Sequence, residues 1–311
     1  LSLHDALPIL SYLNVDRWIN SGGKWWYRHA DGSYTRNDWE HINGYWYYFD
    51  GSGWMQTGWL KLDNSWYWLN GSGAMATGWQ KIGGSWYYFN GSGVMQTGWL
   101  KLRNSTYYLN GSGAMLTGWQ LINGNWYYMN GSGAMLTGWQ WIGNDWYYLY
   151  SNGVMKTGWL ELGETKYYLD GSGAMRTGWF KVDSKWYYAN GSGAMQTGWL
   201  KTGNTWYYLN GSGIMLTGWQ WIGSAWYYLN GSGAMATGWL KLGSAWYYLN
   251  GSGAMLTGWQ SIGGKWYYLN GSGAMKTGWY KVGSNWYYSN PSGVMRYSTW
   301  IGDYYLLGDG R

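Results

Sequence analysis

Thr-Gly-Trp begins at Thr57 and returns every 20 residues as far as Thr277, twelve times without an insertion. Within each unit the Trp is typically followed seven residues later by Trp-Tyr-Tyr (Trp86, Tyr87, Tyr88) and sixteen residues later by Met (Met75 to Met295). Thirteen of the fourteen Met residues, counting Met55, occupy this one position, and Met129 is the exception. A gapless period of this length dictates an array of small, stacked supersecondary units rather than a mixed globular core. The ends are looser. Trp39 with Trp46, Tyr47 and Tyr48 is a divergent unit, Trp18 with Trp25, Trp26 and Tyr27 a weaker one, and Trp300, Tyr304 and Tyr305 resemble a shortened last turn. The expected layout is a non-repeat leader over 1–16, divergent cap repeats over 17–56, twelve repeats over 57–296 and a truncated cap over 297–311. Residues 1–16 match nothing in the array and read as an assembly scar or the stub of an upstream segment.

Inside one unit, Trp239-Leu240-Lys241-Leu242 alternates between two faces, and Trp246-Tyr247-Tyr248-Leu249 has the aromatic richness that strands accept. Gly243-Ser244-Ala245 connects them, so the pair is expected to be a hairpin. Asn250-Gly251-Ser252-Gly253 is expected to be the loop to the next hairpin, and a rival register with its tight turn at Asn250-Gly251 is less favoured because Ala254-Met255-Leu256 is a short, small partner. The Asn-Gly-Ser copies fit glycosylation sequons as well as turns, and the turn reading wins. No 3.6-residue apolar period occurs, so no helix is expected. A lone hairpin is marginal in water, and stacking supplies its partner. The expected fold is therefore all-β, a solenoid of repeated hairpins.

Composition then removes whole classes of function. The 311 residues include 32 Trp, 34 Tyr and 54 Gly, but no Cys and only His4, His29 and His41. Thiolate chemistry is excluded, and no imidazole base is available after residue 41. His29 and His41, near Asp38 and Glu40, read as the solvated edge of the N-terminal cap rather than as a metal or acid–base site. Between Thr57 and Arg296 the only acids are Asp63, Asp145, Glu161, Glu164, Asp170 and Asp183, at no fixed place in the period. A built-in carboxylate pair is thus absent. No catalytic residue, metal or cofactor is expected, and the chain is read as no enzyme. The net charge of +6 is spread out, which argues against nucleic acid, and no apolar run is long enough for membrane insertion. What recurs is aromatic surface, and such surface suits either a quaternary ammonium, drawn to ring quadrupoles, or a stacked sugar ring.

Thr-Gly-Trp, then Trp-Tyr-Tyr, then Gly-x-Met on a 20-residue period resembles the choline-binding, or cell-wall-binding, repeats of wall-lytic enzymes and surface adhesins of Gram-positive bacteria and their phages. Related repeats of glucan-synthesising enzymes and clostridial toxins share much of the pattern. The resemblance covers about residues 17 to 305. It implies a left-handed superhelix of hairpins, about three per turn, with a choline site between neighbours. Each site is walled by the Gly-Trp tryptophan and the first aromatic of Trp-Tyr-Tyr from one repeat and by the first Tyr of that motif from the next, often with a Met. Carried onto this sequence, the implied cages are Trp59, Trp66, Tyr87; Trp79, Trp86, Tyr107; Trp119, Trp126, Tyr147; Trp139, Trp146, Tyr167; and Trp179, Trp186, Tyr207. They continue as Trp199, Trp206, Tyr227; Trp219, Trp226, Tyr247; Trp239, Trp246, Tyr267; and Trp259, Trp266, Tyr287, with the divergent Trp39, Trp46, Tyr67 as an added one.

Thr106 and Lys166 stand where the second Trp belongs, so the cages from Trp99 and Trp159 are expected to be empty or weak, and the Lys166 ammonium is a candidate to fill the choline position itself. The cage from Trp279 and Trp286 lacks an evident Tyr. Three functions stay open. The first is a noncatalytic, extracellular module that binds choline or phosphocholine on wall or lipoteichoic acid and anchors a protein to the cell wall. The second is a carbohydrate-binding array for α-glucan or host glycans, in which Gln80, Gln120, Gln140, Gln220 and Gln260 hydrogen-bond sugar hydroxyls. The third is a structural stalk.

Overall fold

A computed structural model describes residues 15–311. The unclassified leader over 1–16 therefore lies outside the described residues but for its last two positions. The chain divides into two compact units, Leu1–Lys156 and Thr157–Arg311. Among the described residues every named strand pairs with one other strand in a two-stranded antiparallel hairpin, and no helix is present. The expected all-β hairpin array is the observed fold.

In the hairpin used above, Gly238–Leu242 pairs with Ala245–Leu249, setting Trp239 opposite Tyr248, Leu240 opposite Tyr247 and Lys241 opposite Trp246. The two-residue turn lies at Gly243-Ser244, within the expected connector. Where the sequence places Asn123-Gly124 at this turn, both residues have positive φ (50° and 79°), the primed geometry whose twist matches the flanking strands. The period of two sorts the side chains. Trp239, Lys241, Trp246 and Tyr248 share one face, while Leu240, Leu242, Tyr247 and Leu249 share the other. Leu249 and its equivalents Leu69, Leu109, Leu149, Leu209, Leu229 and Leu269 are fully buried. Each such burial contributes about 1.5–3 kcal/mol.

The second loop is more structured than expected. Asn250 closes it by accepting hydrogen bonds at Oδ1 from the Ser252 and Ala254 backbone N–H groups (3.0 Å each) and from the Ser252 hydroxyl (2.7 Å). This local satisfaction explains why Asn or Asp fills the position in most repeats. Tyr150 breaks that rule, and Asn152 takes over by accepting from Val154 N–H at 3.1 Å. The loop ends in a single antiparallel bridge between Leu249 and Met255. The short segment judged a poor partner thus forms one rung, enough to aim Met255 but not to extend the hairpin.

Stacking depends on this Met column. In the first unit Met75, Met95 and Met115 donate their backbone N–H groups to the carbonyls of Trp46, Trp66 and Trp86 in the preceding hairpin (2.8 Å each). In the second unit Met215, Met235 and Met255 do the same to Trp186, Trp206 and Trp226 (2.8–2.9 Å). The bond is made by main chain, so it survives where the accepting residue is Thr106 or Lys166. In the first unit the thioethers of Met55, Met75, Met95, Met115 and Met135, and in the second those of Met175, Met195, Met215, Met235, Met255 and Met275, also lie where a Cβ on the glycine 18 residues later would be. For example, Met195 occupies that space at Gly213, whose φ of +77° also favours glycine. Close packing of sulfur on bare backbone explains why Met and Gly recur together.

Phe89 and Met129 keep the leucine column large and apolar, whereas two repeats put a small residue in it and fill the space from the neighbouring strand. Ala189 replaces the buried Leu, and Phe180 swings into the interior, stacked on Tyr168 (5.3 Å, 13°) and packed with Tyr187 and Ala189. Ser289 replaces it in a later repeat, and Tyr280 stacks on Tyr268 (5.4 Å, 11°) while its hydroxyl shares a 2.9 Å hydrogen bond with the Ser289 hydroxyl. Burial pushes the Tyr280 phenol above the ordinary tyrosine range, so it is neutral at physiological pH and able to make that bond.

Candidate ligand-binding site

The site arises where one face of a hairpin meets the opposite face of the next. Trp59 and Trp66 are diagonal neighbours on one face, with ring centroids 6.0 Å apart and planes at 88°. Tyr87, from the other face of the following hairpin, approaches Trp59 at 5.0 Å and 72°. The same Trp–Tyr contact recurs at 5.1 Å for Trp39–Tyr67, 5.0 Å for Trp79–Tyr107 and 4.9 Å for Trp119–Tyr147 in the first unit. In the second unit it measures 4.8 Å for Trp179–Tyr207, Trp199–Tyr227, Trp239–Tyr267 and Trp259–Tyr287, and 5.0 Å for Trp219–Tyr247. Perpendicular Trp pairs recur as well, from 6.3 Å (Trp199–Trp206, Trp239–Trp246) to 6.4 Å (Trp119–Trp126). The expected trio Trp139, Trp146 and Tyr167 divides between the units, with Trp139 and Trp146 at 6.5 Å and 87° in the first and Tyr167 in the second.

These rings do not close on themselves. The second Trp of the expected cages is between 37% (Trp246) and 46% (Trp266) exposed, so one indole face stays open. In the first unit a cavity of about 320 Å³ is lined by Trp79, Trp86, Tyr107, Met115, Gly131 and Ser132. In the second, a cavity of about 380 Å³ is lined by Trp239, Trp246, Tyr267, Met275, Pro291 and Ser292. Both lie at the small end of small-molecule pockets, roughly 300–1,000 Å³. Neither lining contains a charged side chain. Met115 and Met275 belong to the column that stitches the hairpins, so the thioether both packs the scaffold and lines the cavity.

The ring of the second Trp already attracts cations. The ammonium groups of Lys61, Lys181, Lys201 and Lys241, each directly across its hairpin, lie 5.7–5.8 Å from the ring centroids of Trp66, Trp186, Trp206 and Trp246. Where the second Trp is missing, the other two walls persist: Trp99 meets Tyr127 at 4.8 Å and Trp159 meets Tyr187 at 4.9 Å. Lys166 does not fill the gap in the way sequence reasoning suggested. Its ammonium is 2.7 Å from Glu161 Oε1, the residue opposite it in the hairpin, so the nearest anion claims it.

Two trios escaped the sequence reading. Trp18 lies 4.8 Å from Tyr47, and Met55 N–H donates to the Trp25 carbonyl at 2.7 Å, reproducing the repeat's arrangement with Trp18, Trp25 and Tyr47. At the other end Tyr304 stands 5.5 Å from Trp279, and a cavity of about 390 Å³ is lined by Trp279, Trp286 and Tyr304. The 20-residue spacing fails at both ends, and only the hairpin register recovers the match. The glutamines also serve the scaffold. Gln80, Gln120, Gln140, Gln220 and Gln260 each donate one Nε2 N–H to the Thr carbonyl three residues earlier (2.8–3.0 Å), so one amide donor of each holds the Thr-Gly-Trp turn. In the N-terminal cap, Glu40 accepts from the Thr35 hydroxyl at 2.7 Å and stands 3.3 Å from His29 Nε2. His41 packs on Trp46 at 5.1 Å. Among the described residues no group of three or more His, Cys, Asp or Glu could hold a metal ion.

A family model described as a choline-binding repeat matches residues 36–77, 76–117, 136–177, 176–217, 216–257 and 256–300, and a second, a cell wall binding repeat, matches 117–135. The solved structure of CbpJ from Streptococcus pneumoniae TIGR4 is 35% identical, with 78% of this chain and 100% of that chain covered at a TM-score of 0.61. A structure of CbpF in complex with ipratropium is 31% identical, covering 79% of this chain and 100% of the other, with a TM-score of 0.57. Choline binding protein F from Streptococcus pneumoniae, solved in the presence of a tetrasaccharide-pentapeptide peptidoglycan analogue, is 30% identical, covering 84% and 99%, with a TM-score of 0.58. A comparison with curated proteins finds no match.

Proposed function

Because the chain belongs to the choline-binding repeat family, we propose that it is a noncatalytic cell-wall anchoring module whose inter-hairpin cages bind the choline groups of wall or lipoteichoic acid. The observation that carries this reading is the uncharged cavity between two perpendicular indoles and a tyrosine, open on one side and repeated along the chain. A trimethylammonium head has no N–H to donate, so it gains nothing from hydrogen-bond acceptors. It is instead held by ring faces that can approach its methyl groups from several sides. The cages built on Trp59, Trp79, Trp119, Trp179, Trp199, Trp219, Trp239 and Trp259 are the full sites, with the one on Trp39 added to them. Trp18–Trp25–Tyr47 and Trp279–Trp286–Tyr304 are added on geometry. An anchored module of this kind works outside the cell, at the wall surface.

A glycan is the second reading, supported by the same exposed indoles and by the second N–H and the Oε1 that each glutamine keeps beside its bond to the Thr carbonyl. Retention on immobilised choline, with elution by free choline and not by maltose or dextran, separates the two. Elution by the sugars and not by choline would sink the proposal. Choline bridges two hairpins and binds only the folded array, so it should also raise the melting temperature as its concentration passes the dissociation constant.

The missing wall at Thr106 offers a gain-of-function test. Thr106→Trp restores a third face beside Trp99 and Tyr127, and calorimetry should count one more choline per chain. An unchanged stoichiometry in the folded variant would mean that the cages are assigned to the wrong residues.

A further inference from the structure

The cavity at Trp259 differs from the others in size and charge. It encloses about 1020 Å³, against about 320 and 380 Å³ for the two regular cages. Its aromatic part keeps the register: Trp259, Trp266, Tyr287 and Met295 follow Trp239, Trp246, Tyr267 and Met275 by 20 residues. Its loop keeps the register too. Gly310 packs against Met295 as Gly293 packs against Met275, and Leu307 N–H donates to the Arg311 carbonyl as Asn290 N–H donates to Val294. Gly308 and Asp309 therefore stand where Pro291 and Ser292 stand in the preceding cage.

The addition is a pair of cations, Lys265 and Arg296, both lining this cavity. The positions correspond to Ser85 and Leu116 around the Trp79 cage and to Ala245 and Lys276 around the Trp239 cage, and no other such pair in the array carries two positive charges. Neither side chain forms an ion pair among the described residues. Asp309, the one acid of the lining, is already engaged by Arg311, through Nε to Oδ2 at 2.5 Å and through the backbone N–H to Oδ1 at 3.2 Å. The cavity thus joins an electron-rich cage to two unopposed cations.

Resting on the choline reading of the cages, we propose that this cavity is a phosphocholine site, with the trimethylammonium head between Trp259, Trp266 and Tyr287 and the phosphate on Lys265 and Arg296. Choline alone would meet two like charges there, with the one carboxylate of the lining, Asp309, already bonded to Arg311. A phosphate ester brings its anion a few bonds from the ammonium and offers oxygens to both cations, and the arginine fork suits that oxygen geometry. The regular cages carry no such pair of cations at these positions and do not tell choline from its ester by this means.

Calorimetric titration of the full chain with choline, phosphocholine and glycine betaine tests the assignment. Phosphocholine should reveal one site per chain about tenfold tighter than the rest, the factor that one charge-assisted hydrogen bond supplies. Choline should show no such class. Lys265→Ala and Arg296→Ala should each weaken the tight class about tenfold, with melting temperatures confirming the fold, whereas Lys185→Ala, at the same repeat position but opposite Leu216, should leave it intact. A single phosphocholine class that overlays the choline isotherm would overturn the proposal, as would a tight class that persists in the double variant or appears equally with betaine. If neither choline nor phosphocholine binds anywhere, the cage reading itself has failed. Glycerophosphocholine in solution should occupy the tight class, and phosphatidylcholine vesicles should not sediment the protein. Capture by vesicles alone would reassign the ester from a wall polymer to lipid and overturn the wall-directed site.

Discussion

A surface that displays choline densely should hold the chain roughly 10²–10⁴ times more tightly than free choline does. The argument starts from one cage. Each desolvated cation–π contact contributes about 0.5–2 kcal/mol, so three ring faces supply at most about 6 kcal/mol before the cost of immobilising the ligand, and one cage binds no more tightly than about millimolar. The faces are there to count: Trp246 and Tyr267 stand 6.3 and 4.8 Å from Trp239, and all three line a cavity of about 380 Å³. A millimolar site cannot anchor a protein, but several such sites held by one backbone make each later capture intramolecular. The gain therefore depends on ligand density and not on new contacts. Retention measured on resins of graded choline density should collapse towards millimolar once neighbouring cholines are too far apart to be bridged. A midpoint for elution by free choline that ignores density would show that one strong site, rather than many weak ones, does the anchoring.

Much of this was legible in the sequence because the repeat writes the same physics many times. The period-two alternation and the Gly243-Ser244 turn give the hairpin, and the register Lys241↔Trp246 puts the two cage tryptophans on one face. What stayed hidden depends on contacts that linear spacing does not encode. Trp18 meets Tyr47 although the spacing there is one residue longer than the 28 residues that join Trp59 to Tyr87. Tyr304 reaches Trp279 because the last hairpin, Thr299–Ile301 with Tyr304–Leu306, has shorter strands and still buries Leu306 in the leucine column. The fate of Lys166 was decided by Glu161 across the hairpin, a pairing visible only once the register is known. The scaffold role of the glutamines was hidden for the same reason: that one N–H of Gln140 goes to the Thr137 carbonyl follows from the turn geometry and not from spacing alone.

Phe180→Ala should destabilise the second unit by about 3–5 kcal/mol, the range for deleting a buried aromatic ring. Phe180 is 5% exposed, stacks on Tyr168 and packs with Tyr187 and Ala189, filling the volume that a leucine at position 189 would take. Two further variants separate compensation from ordinary burial. Ala189→Leu alone should cost about 1–3 kcal/mol, because the added atoms meet the Phe180 ring in a packed interior. Phe180→Leu alone should leave a void beside Ala189. Combined, Phe180→Leu with Ala189→Leu rebuilds the arrangement of the hairpin Gly198–Thr202 with Thr205–Leu209, where Leu200 faces Tyr207 and Leu209 is fully buried. The double variant should then be more stable than the sum of the two single changes implies, a coupling that a double-mutant cycle in urea reads directly. Additive losses would mean that the two positions do not share one cavity. The ring also packs against Trp159 at 6.1 Å, a wall of the incomplete cage with Lys166, so the single Phe180→Ala variant should loosen this junction while the complete cages keep their affinity for choline.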